Sequence, residues 1–143
     1  MFQPSTDDVR RFFCEAYARW REGLPLDAMQ ALAARWIAEH PEYHAELADE
    51  AAARVADYRV ESGRSNPFLH LSMHLTIDEQ SSIDQPTGIR QAVQLLAARR
   101  GSLHAAHHEV MECLGEMVWA SQRSGRAPDG QAYLDAVRAR ATR

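Results

Sequence analysis

Apolar residues recur along this chain at intervals of three and four, the spacing that places side chains on one face of an α-helix. The first such segment follows Ser5 and Asp8, which have the spacing of a capping box, and ends before Gly23. Its apolar positions are Val9, Phe12, Phe13, Ala16, Tyr17 and Trp20. The same spacing then continues as far as His40, so the first part of the chain is predicted to form two helices.

Helical signals also dominate the rest of the chain. A short alanine-rich helix is expected at roughly 42–54, after Pro41 has interrupted the preceding one. Loops are predicted near 55–66 and 81–86, and three further helices follow the second loop. Because no segment alternates between apolar and polar residues, we expect an all-α fold: a helical bundle of about five or six helices in a single domain, 1–143.

Composition and charge narrow the classes of function. The chain has 143 residues, of which 45% are hydrophobic and 25% are charged, an ordinary globular composition. A net charge of -4 argues against general binding to nucleic acid, and no apolar run is long enough to suggest a membrane span. The start of the chain lacks the pattern of a secretion signal. With only two cysteines, Cys14 and Cys113, a cytoplasmic protein with reduced thiols is expected.

The spacing of the histidines is unusual. The chain has 7 of them, and a random arrangement would place roughly a third of one pair at a separation of four. Three such pairs occur: His40 and His44, His70 and His74, and His104 and His108. Residues four apart on a helix differ by only about 40° around its axis, so both rings can reach one metal ion.

The helical faces indicate which of these rings point inward. His70 and His74 lie on the apolar side of their helix, while His104, His108 and Glu112 form a stripe along the edge of another apolar face. Imidazoles projecting from facing helices are how metal sites are built in helical bundles. Imidazole is a suitable ligand for zinc, iron, copper or nickel, and carboxylates add the oxygen that iron or manganese prefers.

The candidate ligands are of unequal strength. His40 extends an apolar face, whereas His44 follows Pro41 and could face solvent. Asp78 is better aligned with the histidines of its ideal helix than Glu79 is. A buried histidine is also more often a hydrogen-bonded core residue than a metal ligand, so a buried network of histidine and glutamate is the competing interpretation.

Three strings, HPEYH, SNPFLHLSMHLTIDEQSSIDQPTGIR and HHEVMECLGEMVWASQRSGRAPD, together resemble a family of small bacterial proteins, the domain-of-unknown-function family 1841. The resemblance covers nearly the whole chain and implies no reaction. The family pattern does not call for histidine at His44 or His107, and it favours Glu79 over Asp78. The ligands that the resemblance and the spacing together indicate are His40, His70, His74, Glu79, His104, His108 and Glu112.

The sequence therefore predicts a metal-binding helical bundle with a histidine and glutamate site that holds one or two ions, iron or zinc. A dinuclear centre, such as a di-iron centre with redox or oxygen chemistry, is the first hypothesis. A mononuclear zinc site, hydrolytic or structural, is the second. The third is a non-catalytic interaction protein that contains the hydrogen-bonded network and binds a partner helix or a second copy. Whether the protein is an enzyme, its substrate and its oligomeric state are left open, and a homo-oligomer is compatible with the sequence.

Overall fold

A computed structural model of the chain describes residues 5–59 and 65–143, and the regular structure in these residues is entirely helical. The α-helices are α1 (Thr6–Glu22), α2 (Ala28–Ala38), α3 (His44–Leu47), α4 (Glu50–Val55), α5 (Pro67–Ile83), α6 (Ile89–Arg100), α7 (Leu103–Ser124) and α8 (Gly130–Ala141). The all-α prediction is confirmed. Part of the loop predicted near 55–66 lies outside the described residues, as does the beginning of the segment inspected for a secretion signal.

The expected number of helices, about five or six, is wrong, since the described residues contain eight α-helices. The difference arises partly where one helix was predicted at 42–54. Pro41 instead begins a 3₁₀ turn that ends at Tyr43 and leads into the four-residue helix α3. The side chain of Asp49 then accepts a hydrogen bond from the Ala52 N–H at 3.1 Å and starts α4 as a separate helix.

Several helix ends follow from local sequence signals. Ser5 and Asp8 form the predicted capping box at the start of α1. Gly23 ends that helix with φ 71°, a left-handed conformation that glycine adopts at little cost. Asn66 caps α5 by accepting from the N–H groups of Phe68 and Leu69 at 3.0 and 3.1 Å. These caps set where each histidine falls along its helix.

The described helices belong to two compact units, and the division between them, after Leu75, falls inside α5. In the first unit α1 packs against α2, α3 and α4. Its buried core includes Phe13, Cys14, Ala16, Trp36, Ile37, Leu47, Phe68 and Leu71. Removing these side chains from water is the main favourable contribution to folding of this unit.

In the second unit, which begins at Thr76, α6, α7 and α8 pack against one another. Its core includes Ile77, Ile89, Val93, Leu96, Val110, Leu114, Tyr133, Leu134 and Val137. The hydroxyl of Tyr133 donates to Oε1 of Gln80 at 2.7 Å, so the buried phenol is satisfied. No helix within the described parts of the chain has the length and apolar character needed to cross a membrane.

Candidate metal centre

The imidazole of His40 lies just beyond the end of α2. Proline disfavours helical backbone angles at the residue before it, because its Cδ group crowds that residue. His40 accordingly leaves the helix with φ -127° and ψ 63°, while its N–H still donates to the carbonyl of Ile37 at 3.0 Å. The chain turns at this point and keeps the residue buried, with 3% of its surface exposed.

A backbone carbonyl fixes the orientation of the His40 ring. Nδ1 of His40 lies 2.7 Å from the carbonyl oxygen of Trp36. Because a carbonyl oxygen only accepts, Nδ1 donates its proton to it, and Nε2 of the neutral ring carries a lone pair. A carbonyl on one ring nitrogen is a common support for a histidine that binds a metal through the other nitrogen.

The second and third imidazoles come from α5. His70 and His74 lie one helical turn apart, and their ring centroids are 4.9 Å apart. The His74 ring stacks on the indole of Trp36, with centroids 4.0 Å apart and planes inclined by 13°. Because both residues are fully buried, this stack holds the plane of the His74 ring.

Three imidazoles therefore meet within the first unit. The ring centroid of His40 lies 4.8 Å from that of His70 and 4.9 Å from that of His74. The Nε2 atoms of His40 and His70 are 3.0 Å apart. The Tyr43 ring lies parallel to that of His40 at a centroid distance of 5.3 Å and also contacts His70 at 5.9 Å. Burial raises the pKa of the Tyr43 phenol.

Two further imidazoles lie at the start of α7. The side chain of Ser102 accepts from the Ala105 N–H at 3.0 Å and begins the helix at Leu103. His104 consequently lies in the first turn and His108 in the second, with ring centroids 4.4 Å apart. His104 is half-buried and His108 is exposed, so this pair is reached from solvent.

His107 takes a different direction from its neighbours on α7. It is 1% exposed, and its Nε2 lies 3.7 Å from Oδ1 of Asp78. That distance is longer than a hydrogen bond but allows an electrostatic contact. Both residues belong to the second unit. His107 is not one of the histidines that form the candidate metal site.

Ring nitrogens of four histidines lie within 4.8 Å of one another, and the four are His40, His74, His104 and His108. Two of these side chains are buried, one is half-buried and one is exposed. Imidazole nitrogens are good ligands for several transition metals. The cluster could therefore hold a metal ion, as the spacing of the histidines predicts.

Both predicted glutamate ligands lie outside this group of four. Glu112 is largely exposed and accepts a hydrogen bond from Nη1 of Arg140 at 2.6 Å. This bond to Glu112 raises the pKa of the Arg140 guanidinium. Glu79 is exposed on α5. Four of the seven predicted ligands thus form the group, and the His70 ring lies beside two of them, His40 and His74.

His44 has contacts of another kind. Its Nε2 lies 2.7 Å from the carbonyl oxygen of Ile37. Its ring packs against Tyr17 and Trp20, at centroid distances of 5.2 and 5.6 Å. These contacts stabilise the junction of α1, α2 and α3, and they make His44 a useful control residue for metal binding.

The two cysteines are buried thiols. Burial raises the pKa of Cys14 to about 11 and also raises the pKa of Cys113. Both are therefore neutral at physiological pH, when the thiolate is the reactive and metal-binding form.

Trp36 belongs to the site, although the spacing of the histidines does not identify it. Its carbonyl orients His40 and its indole supports His74. The sequence feature that indicates this role is the interval of four between Trp36 and His40, because it places the Trp36 carbonyl one helical turn before the histidine.

A protein-family model described as "Domain of unknown function (DUF1841)" matches residues 5–139. The match spans nearly all of the chain and confirms the resemblance seen in the histidine-containing strings. No curated protein and no solved structure is found to match the chain.

Proposed function

Because the chain belongs to the DUF1841 family, which is defined without an activity, we propose a function from the histidine geometry: the protein binds one transition-metal ion. The ligands are His40, His74, His104 and His108. The observation that carries this proposal is the approach of their ring nitrogens to within 4.8 Å of one another.

The spacing of the nitrogens fits an ion after small movements. Zinc–nitrogen bonds are about 2.0–2.1 Å long, so four nitrogens around a tetrahedral zinc ion lie about 3.3–3.4 Å apart. Side-chain shifts on the order of 1 Å would close the group on an ion. His40 needs no change of tautomer, because its hydrogen bond to Trp36 keeps the proton on Nδ1 and the lone pair on Nε2.

The set of four imidazole ligands favours a single ion of intermediate softness, and zinc is the preferred candidate. Imidazole suits zinc, copper and nickel, while iron and manganese sites in bundles add carboxylates, and dinuclear sites share them between two ions. The two candidate carboxylates support this choice, because Glu112 is paired with Arg140 and Glu79 is exposed. The mononuclear hypothesis is therefore preferred to the di-iron hypothesis.

The number of protein ligands favours a structural role for the ion. Structural zinc sites have four protein ligands, whereas catalytic zinc sites have three and leave a position for water or substrate. Four imidazoles supply the complete ligand set of a structural zinc site. Zinc bound in this way contributes directly to the free energy of unfolding.

A second candidate function is a metal-free hydrogen-bonded core that supports an interaction protein. The contacts of His40 with the Trp36 carbonyl and with His70 favour it, because they satisfy both nitrogens of a buried ring without an ion. His104, which is half-buried, and His108, which is exposed, do not require such a network. This candidate therefore accounts for fewer of the histidines.

The proposal is tested by the metal content of protein purified without chelator, together with zinc titration of the stripped protein. We expect one ion per chain, lost in His74→Phe and His108→Ala and retained in His44→Ala. The phenyl ring of His74→Phe keeps an aromatic ring against Trp36 and removes only the nitrogens.

Stability provides a second readout of the same experiment. Free zinc at one hundred times its Kd should raise the free energy of unfolding by about 2.7 kcal/mol. For a chain of this length, the unfolding temperature should then rise by roughly 10 °C. A folded chain that retains no metal and whose unfolding temperature is unchanged by zinc, copper, nickel or iron would favour the hydrogen-bonded core.

A further inference from the structure

A cleft of about 540 Å³ lies in the second unit, between the C-terminal half of α7 and the start of α8. Its lining includes Met117, the buried residues Cys113 and Tyr133, and four alanines. The alanines are Ala120, Ala127, Ala132 and Ala136. Because an alanine side chain ends at Cβ, these positions leave the space between the two helices unfilled. A mostly apolar cleft of this size is typical of sites for small ligands.

The turn between α7 and α8 forms part of the cleft and is held by its own hydrogen bonds. Oγ of Ser121 donates to the carbonyl oxygen of Arg126 at 2.5 Å, and the Arg126 N–H donates to Oγ of Ser124 at 3.2 Å. Asp129 caps α8 by accepting from the Ala132 N–H at 3.0 Å, where the helix dipole also stabilises its charge. The cleft is therefore formed in advance, and little backbone ordering is needed when a ligand binds.

Two charged side chains of the cleft remain available to a ligand. Within the described residues, neither the Glu116 carboxylate nor the Arg126 guanidinium forms a side-chain hydrogen bond or an ion pair. Eight positions separate Glu116 from Ser124, the last residue of α7, and this is a rise of about 12 Å along the helix. Arg126 follows in the turn. The cleft thus has a free negative charge towards one end and a free positive charge towards the other.

The Cys113 thiol adds a hydrogen-bond donor to the lining. Cys113 is 2% exposed, and burial raises its pKa, so the thiol keeps its proton at neutral pH. In the part of the chain that the structure describes, this S–H forms no hydrogen bond. Cys113 precedes Glu116 by three positions, so a carbonyl oxygen next to an amino group that pairs with Glu116 could accept from it.

These features together define the ligand that the cleft fits: an amino group at one end, a carboxylate at the other, and an apolar middle that contains carbonyl groups. Three residues of extended peptide span at most about 10–11 Å, close to the separation of the two charged positions. We propose that the cleft binds a linear peptide of about three small or apolar residues, with its ammonium group on Glu116 and its carboxylate on Arg126. This activity goes beyond the metal site and does not depend on it.

Calorimetric titration of the full chain in EDTA with the tripeptide Ala-Leu-Ala tests the proposal. We expect one peptide per chain, with a Kd on the order of 0.1 mM. Acetylation of the peptide amino group should raise the Kd about fivefold in the unmodified protein and not in Glu116→Gln. Amidation of the peptide carboxylate should raise it about fivefold in the unmodified protein and not in Arg126→Gln.

Matched variants on the same helices serve as controls. Arg123→Gln removes a charge from α7 outside the cleft, and both blocking effects should persist in it. Ala132→Leu fills the cleft at an exposed position of α8 and should raise the Kd at least about tenfold. Ala139→Leu adds the same side chain to α8 outside the cleft and should leave the Kd unchanged.

The outcomes decide the proposal without reference to zinc, because EDTA removes the metal throughout. No binding of Ala-Leu-Ala, or binding that Ala132→Leu leaves unchanged, overturns the peptide site. Equal affinity for free and blocked peptides also overturns it. If only the carboxylate matters, the ligand is an apolar acid and the proposed peptide recognition is wrong.

Discussion

The indole of Trp36 and the imidazole of His74 lie face to face at 4.0 Å, both fully buried. The same tryptophan orients His40 through its backbone carbonyl. One residue of α2 therefore positions two of the four clustered histidines, and holding ligands in place before the ion arrives lowers the entropic cost of binding it.

This stack predicts that Trp36 fluorescence reports the metal site. In a background of Trp20→Phe and Trp119→Phe, one equivalent of copper(II) should quench most of the remaining emission, because a paramagnetic ion on His74 lies almost in contact with the indole. Zinc, which has a filled d shell, should quench little. The measurement is a fluorescence titration of the folded protein.

Adding His74→Phe to the same background is the matched control, and quenching at one equivalent should be lost. Unchanged quenching in that variant would place the copper elsewhere, for example on His104 and His108 alone.

Glu112→Gln should leave metal binding unchanged. The carboxylate is mostly exposed and bonds to Arg140, and exposed ion pairs contribute only about 0–1 kcal/mol. We expect one zinc ion per chain with unaltered affinity, measured by calorimetric titration. A loss of stoichiometric binding, or a change from two ions to one, would instead restore the dinuclear hypothesis.

Asn66→Ala should weaken the fold at the start of α5. The side chain satisfies two backbone N–H groups of the first turn, and loss of such a cap costs about 0.5–2 kcal/mol. Denaturant unfolding in the presence of EDTA measures this cost without any metal contribution. Asn66→Asp retains the acceptor and should restore most of the stability; equal stability of all three proteins would contradict the capping role.

Cys14 should react slowly with iodoacetamide in the folded state. Its pKa of about 11, raised by burial from the ordinary value of 9.0, reduces the thiolate fraction at pH 8 by about 100-fold. Because the folded state holds the proton more tightly, the stability from this thiol is intact below pH 9 and declines as the pH rises towards 11. Mass spectrometry in a Cys113→Ala background measures the rate; folded-state alkylation as fast as in urea would contradict this account.

The sequence predicted elements whose causes are local. The cap at Ser5 and the terminating Gly23 each act within a few residues, and each is present in the structure. The division of 42–54 into a 3₁₀ turn and two short helices was missed, because it depends on how strongly Pro41 and Asp49 compete with a favourable alanine-rich helix.

The candidate site was predictable in its histidines and less so in its carboxylates. Intervals of four select rings on one helical face, and this rule identified His74, His104 and His108. The partner of Glu112 is Arg140, 28 positions later on another helix, and no local spacing encodes that pairing. The supporting role of Trp36 likewise depends on tertiary contacts.

X-ray absorption spectroscopy of the zinc-loaded protein is the most direct measurement of the central claim. We expect one zinc ion per chain, surrounded only by four nitrogens at about 2.0–2.1 Å, with the multiple scattering typical of imidazole. A shell of sulfur or several carboxylate oxygens, a second metal at about 3.5 Å, or a chain that does not retain zinc at all would contradict it.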